Sequence, residues 1–430
     1  MRPRLTSPSG SGMLSHPTMQ QQPYSFARLL LLVIGYNRPG ALARLFQSLS
    51  RLAPPVAPVD LLVSIDGGGD PACVELAREF RWVHGGMRVE AHSRNLGLRT
   101  HVETAIDHVT DYDAVIVLED DLSVSPWMFH YCREVLTAYG GDPRIAQISL
   151  YASDYNEFCG LPFTAVRGPG DVWLSRAPSS WGQIWTRDQW TDYRRWLRSG
   201  QEGHHLHLLP ASARRWDPRS WKKSFFEYVV SSGLWTVHPY TSLSTNHGDA
   251  GTHFSHSVRD LEVPLEVSRR NYCFVPVPDI LIRYDAWLEP MPDIVSDAAP
   301  DPSLITVDLY GIKTLADVNT PYLLSRKPCA SPVRVYGSHL TPLELNVRLD
   351  IREATENPIF LGLTSDFKEG PVRHELFAAH VKRRLRKHLH ESGYQQGQAD
   401  LRKEPRFILG DAMMYVPSKL AALFRRRSPG

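Results

Sequence analysis

Four times in its first 130 residues the chain repeats one unit: an apolar run stops on a polar residue and a helical pattern follows. "LLLLVIGYNRPG" ends at Asn37 and, after Pro39, leads into Leu42, Leu45, Phe46, Leu49 and Leu52 at helical spacing. "VDLLVSIDGGGD" ends at Asp66 and three glycines, with a helix expected from Pro71. "MRVEAHSRNLGL", a weaker run, ends at Arg94 and Asn95, and Leu98, Val102, Ala105, Ile106 and Val109 share a helical face after it. "DAVIVLEDDLSVSPWMF" carries the fourth run, Ala114 to Leu118, into Glu119, Asp120 and Asp121. Ser125 and Pro126 then read as an N-cap and a first helical position. Strands alternating with helices imply an α/β fold built on a doubly wound, mostly parallel sheet. Ligands of such sheets bind at the carboxyl ends of the strands. Asn37, Asp66, Arg94, Asn95 and the acidic triplet are therefore expected along one edge.

Three adjacent carboxylates repel one another, and either solvent or a bound cation must compensate them. The first strand is followed by no G-x-G-x-x-G, and no G-x-x-x-x-G-K-[ST] is present, so neither a dinucleotide fingerprint nor a phosphate loop is available. An anionic ligand could enter such an edge only with a metal. Carboxylates at a strand end are hard oxygen donors suited to Mg²⁺ or Mn²⁺, with substrate phosphates completing the shell. The ligand expected on these grounds is a metal-bridged diphosphate, for which sugar nucleotides are the common case.

Composition narrows the class further. At 430 residues, with 42% hydrophobic and 22% charged residues, the chain has core enough for about two or three domains. A formal net charge of +2 gives no argument for a nucleic-acid partner. Cys73, Cys132, Cys159, Cys273 and Cys329 are scattered and form no C-x-x-C, which favours a reducing compartment over a structural zinc site. The apolar stretch Leu29 to Ile34 is far short of the ~20 residues that span a bilayer. It also lacks a signal-peptide cleavage site. A cytoplasmic location is expected, with residues 1–24 as a disordered leader.

The ordered set "VIGYNRP", "VSIDGG", "RNLGLR", "VIVLEDDLSVSPWMF", "SSWGQIWTRDQW" and "TNHGDAGTHF" resembles nucleotide-sugar glycosyltransferases of the GT-A fold, over roughly residues 27–285. The likeness is to the N-acetylglucosaminyltransferase I type and its bacterial family-2-like relatives. It implies that Asp121 is a direct ligand of Mn²⁺ (or Mg²⁺), with Glu119 and Asp120 on the uridine and ribose side. Asp66 matches the acid near the base pocket, and Asn37 stands where the eukaryotic enzymes carry an Asp. The segment with Trp181 and Gly182 is placed by the donor sugar and acceptor, whereas Trp185 and Trp190 read as core. The loop with Asn246, His247, Asp249, Thr252 and His253 matches a donor-closing loop. There His253 would complete the metal shell or contact the diphosphate, with His247 as the reserve. An inverting transfer also needs a carboxylate to take the acceptor's proton. "RRWDPRSWKKSFFEY" offers Asp217 for that role and Glu227 as the reserve, and Asp217 equally suits a helix N-cap before Pro218. The run containing His204, His205 and His207 reads as a solvated loop.

The implied organisation is a GT-A domain over residues 25–285, a Pro/Asp-rich linker over 286–302, an accessory region over 303–370 and a basic helical tail over 371–430. In the tail, Phe377, Val381, Leu385 and Leu389 share a face, with five basic residues between Lys382 and Lys387. Such a helix suits either peripheral contact with an anionic membrane surface or packing on the domain. The function expected is a metal-dependent, inverting transfer from a UDP-linked sugar donor to a hydroxyl of a glycan or glycoconjugate. A sugar-phosphate nucleotidyltransferase and a catalytically degenerate GT-A scaffold are the alternatives.

Overall fold

The computed structural model describes residues 26–249, 261–293, 295, 301–353 and 355–370. The apolar runs fold as expected. Strand β1 (Leu29–Gly35) is buried along its whole length, and β2 (Val59–Ile65) nearly so, because both faces of the sheet are covered. β3 (Met87–Ala91), the weaker run, lies at the sheet edge and is only partly buried. β4 (Ala114–Glu119) is the central strand, and its short continuation β5 (Leu122–Val124) leaves the sheet. Further along come β6 (Ile145–Ser149), the hairpin of β7 (Tyr155–Asn156) and β8 (Leu161–Pro162), then β9 (Val172–Ser175) and β10 (Gln183–Thr186). β11 (Trp235–Pro239), β12 (Ser244–Asn246) and β13 (Arg283–Tyr284) follow. The large sheet runs β13-β9-β11-β6-β10-β4-β1-β2-β3.

β3, β2, β1 and β4 pair in parallel, as the repeat predicts. β10 is inserted antiparallel between β4 and β6, and β9 is antiparallel to β11. Alternate strand residues divide the core between the two faces. Leu31, Val33, Val63 and Ile116 pack under α1 (Pro39–Leu49), α2 (Pro71–Glu79) and α4 (Met128–Tyr139). Leu30, Leu32, Leu62 and Val117 pack under α3 (Leu98–Ile106), α5 (Arg187–Arg198) and α7 (Trp221–Ser231). The short α6 (Ala211–Arg214) precedes α7. Trp185 and Trp190 are core residues of the second face, their rings 5.2 Å apart. The molecule is thus an α/β structure with helices on both faces of a mixed, mostly parallel sheet.

Helix α4 begins two residues later than its Ser-Pro signal suggests. Ser125 does not cap it; its hydroxyl donates to the Glu266 carbonyl and accepts from Trp127 N–H. The hydroxyl thus serves a long-range carbonyl and the local turn ahead of the helix at once.

Residues 303–370 form a second sheet from β14 (Ile305–Asp308), β15 (Tyr322–Ser325), β16 (Arg334–Tyr336) and β17 (Ile359–Leu363), with helix α8 (Glu344–Arg348) packed on it. The described part of the expected linker is packed rather than extended in solvent. Ala286, Leu288 and Glu289 are buried, and Ala286 and Leu288 share a cluster with Phe163, Trp173 and Tyr284 of the first sheet. Glu289 accepts hydrogen bonds from Leu309 and Tyr310 N–H at the start of the accessory region. Within the described residues the proline-containing stretch reverses the chain, bridging Tyr284 to Pro290. The leader, the basic tail and His253 lie outside the described residues.

Candidate functional site at the strand ends

The strand ends meet as the alternation requires. β1 ends at Gly35, and the chain passes through Tyr36, Asn37 and Arg38 into α1, which starts on Pro39. Arg38 occupies the N-cap position without capping the helix. Its guanidinium instead bridges the acidic triplet, with Nη2 on Asp120 and Nη1 donating to Asp121 Oδ2 at 3.0 Å. Burial pulls the Arg38 guanidinium down, and the charges of Asp121 and Asp120 more than offset it, so it remains a cation.

The three carboxylates are not equivalent. Asp120 is buried; burial lifts its carboxyl to about 6, against the opposing pull of Arg38. Burial, followed by the charges of Asp121 and Asp120, lifts Glu119 to about 8. Asp121 is part-buried, and its Oδ1 is buried with no hydrogen-bond partner among the described residues. A buried carboxylate oxygen without a donor is costly unless a cation supplies the missing interaction. Among the described residues no group of three or more His, Cys, Asp or Glu side chains is placed to hold a metal ion. A small divalent ion can be held by one or two carboxylates plus substrate phosphates, the usual mode of Mg²⁺. The donor set therefore fits a hard cation at Asp121 Oδ1.

Around the triplet, the other strand ends form a bracketed edge. Asp66 accepts from Gly67 N–H at 2.9 Å, Leu96 N–H at 2.8 Å and Gly97 N–H at 3.2 Å, which ties the end of β2 to the loop after β3. The expected ligand acid is thus itself engaged by three backbone donors. Asn37, Arg94 and Asn95 are exposed on the same edge. Gly69 is needed for close approach, since a Cβ there would lie 2.2 Å from the Tyr36 carbonyl oxygen. His101, which sequence reasoning did not single out, reaches the underside of this edge from α3. Its Nε2 sits 2.8 Å from Ser64 Oγ; burial, helped by His92 and opposed by Asp66, lowers it to about 4.

The loop after β12 is stapled alongside. β12 pairs with β5 directly after the triplet. His247 N–H donates to the Asp121 carbonyl at 3.0 Å, its Nε2 lies 2.9 Å from Ser123 Oγ, and Asp249 pairs with Arg44 of α1. His247 is therefore beside Asp121 through its backbone, while its ring is turned to Ser123.

On the other side of β4, the register Gln183↔Val117 carried back two residues sets Trp181 level with Glu119. Gly182 has φ +89°, and its neighbour's carbonyl accepts from Ser244 Oγ at 2.6 Å, fixing the turn that presents Trp181. The Trp181 ring is part-buried, 4.8 Å from Tyr151 and 5.2 Å from the Lys222 ammonium.

The two carboxylates expected as bases are placed elsewhere. Asp217 is exposed, and its carboxylate is bound to the N–H and guanidinium of Arg219. It is not the helix cap either, because α7 starts at Trp221 with Ser220 at its N-cap. Glu227 is buried, and its oxygens accept from Gly203 N–H at 2.9 Å and His205 N–H at 2.6 Å. It fastens the histidine loop to α7, and both its oxygens are occupied by backbone donors. His204 and His207 are exposed, as a solvated loop requires.

No family model and no curated protein matches the chain. Solved structures similar to about half of it include the following three. Mannosyltransferase PcManGT from Pyrobaculum calidifontis, in complex with GDP-Man and Mn²⁺, matches at 12% identity and a TM-score of 0.34, over 50% of this chain and 56% of that one. S. aureus TarS matches at 11% identity and 0.34, over 50% and 36%. TarS 1–349 in complex with UDP matches at 13% identity and 0.34, over 50% and 59%. The match spans less than two-thirds of each of those proteins, and at this identity it gives no residue of this chain a role.

Proposed function

We propose that this chain is a metal-dependent glycosyltransferase of the GT-A type. It would move a sugar from a nucleotide-sugar donor, UDP-linked, to a hydroxyl of a glycan or glycoconjugate with inversion. The carrying observation is Asp121: one carboxylate oxygen is held by Arg38, and the other is buried at the mouth of the strand-end edge with no hydrogen-bond partner among the described residues. A Mn²⁺ or Mg²⁺ ion there would supply Lewis-acid neutralisation of the donor's diphosphate. The chain's own residues supply the rest. Arg38 fixes the Asp121 carboxylate in one orientation. The exposed edge formed by Asn37, Arg94 and Asn95, backed by Asp66, offers the nucleoside polar partners. Trp181 offers the sugar an aromatic face beside Glu119. His253 remains a proposed partner of the metal or diphosphate.

Calorimetry with UDP and GDP, with and without Mn²⁺, tests the reading. Wild type should bind a nucleoside diphosphate only with the metal. Asp121→Asn should lose that affinity by at least about tenfold, or ~1.4 kcal/mol, while keeping its fold. Equal affinity with and without the metal would remove the metal from the proposal.

A further inference from the structure

Among the described residues Asp217 and Glu227 are both held by other partners, and another carboxylate lies close to Trp181 through its lysine partner. The β7–β8 hairpin carries Glu157 between its strands. Its two oxygens accept from the Lys222 ammonium at 3.0 and 2.9 Å. Lys222 projects from the first turn of α7, and its ammonium also lies 5.2 Å from the Trp181 ring and 5.1 Å from that of Trp216. The lysine side chain is 11% exposed and that of Glu157 19%, so the cation is enclosed while the carboxylate keeps an open side.

Position decides what this pair can do. In the sheet, β4 stands between β1 and β10. The nucleoside side of the edge belongs to β1, β2 and β3, with Asn37, Asp66 and Arg94 at their ends. Trp181, level with Glu119, lies on the β10 side, and the Lys222–Glu157 pair lies against Trp181. The field of Lys222 reaches Glu119 itself, where it opposes the effect of burial. A donor with its nucleoside over β1–β3 and its diphosphate at Asp121 would extend its sugar toward Trp181. An inverting attack must come from the face of the sugar opposite the diphosphate, and a sugar laid toward Trp181 would have the Lys222–Glu157 pair beside it.

We infer that Glu157, oriented by Lys222, is the general base of the transfer. This rests on the function proposed above. In the step, the acceptor O–H gives its proton to the Glu157 carboxylate as its oxygen forms a bond to the anomeric carbon. The bond from that carbon to the diphosphate oxygen breaks, and its electron pair leaves with the nucleoside diphosphate. Lys222 Nζ holds both Glu157 oxygens in place before the step.

The test uses the full chain with Mn²⁺ and UDP-GlcNAc or GDP-mannose, with water as the acceptor, and follows release of the nucleoside diphosphate. Glu157→Gln should lower turnover by about 10²–10⁴-fold, the usual contribution of a positioned base. Its affinity for UDP or GDP with Mn²⁺ should stay within about twofold of wild type, since the base faces away from the diphosphate. If the single variant does not fold, the double variant Glu157→Gln, Lys222→Met replaces the whole ion pair, a change that buried pairs often tolerate. It should show the same loss of turnover. Normal turnover in either folded variant would overturn the assignment and leave the pair a fastening between hairpin and helix. If wild type itself neither binds nor hydrolyses either donor, the proposed function falls, and Glu157 with it.

Discussion

At the residue scale, the compensation of the acidic triplet hangs on Arg38. The Asp120 side chain is 4% exposed and shares the Arg38 guanidinium with Asp121. Removing one partner of a buried pair strands the other charge, at a cost of about 3 kcal/mol. Arg38→Met should therefore lower stability by roughly that amount at neutral pH, and added Mn²⁺ should raise the melting temperature more in the variant than in wild type. Thermal melts with and without Mn²⁺ check this, and an unchanged melting temperature would show that solvent already covers Asp120. The triplet was legible in the sequence because three carboxylates directly after a buried run have no ordinary reason to be there. Arg38 was not, because an arginine in "YNRPG" reads as a loop residue until folding brings it to acids 82 and 83 positions away. The same distance in sequence hid the Glu157–Lys222 pair, whose members are 65 residues apart.

At the scale of elements, the alternation of strand and helix was legible because burial on both faces writes continuous apolar runs into the chain. Strand direction and order were less so. The pattern of β10 says that it is buried, but says nothing of its antiparallel place between β4 and β6. That insertion depends on Gly182, the residue before it. A Cβ there would lie 2.7 Å from Ser244 Oγ and 3.1 Å from Leu150 Cβ, and the backbone has φ +89°. Gly182→Ala combines left-handed strain with overlap against two neighbours, a cost of about 1–3 kcal/mol. Urea denaturation should show the midpoint falling accordingly; a midpoint equal to that of wild type would mean that β12 yields freely.

At the scale of the whole molecule, the two sheets are joined through buried polar groups that composition could not reveal. Tyr284, on the last strand of the first sheet, donates its hydroxyl to Glu344 of α8 at 2.7 Å. Burial lifts the Glu344 carboxyl from 4.5 to about 7. The folded chain then keeps a proton that the unfolded chain has lost once the pH passes about 4.5. Stability from this group is full below that point, declines as pH rises toward about 7, and is level above it. Glu344→Gln has no such proton to lose. It should be more stable than wild type at pH ~8, by at most about 3 kcal/mol, with little difference at pH ~4. Denaturation midpoints at the two pH values decide it, and the same pH dependence in both proteins would remove Glu344 from the account. No helix among the described residues is long and apolar enough to cross a membrane. The bridge made by Arg38 also governs how the edge looks to a molecule still in solution. A guanidinium set between two carboxylates halves their combined charge, and beyond a Debye length of about 8 Å at physiological ionic strength most of the remainder is screened. A dianionic ligand diffusing toward the strand ends therefore meets a weaker barrier to capture than the acidic side chains alone would raise.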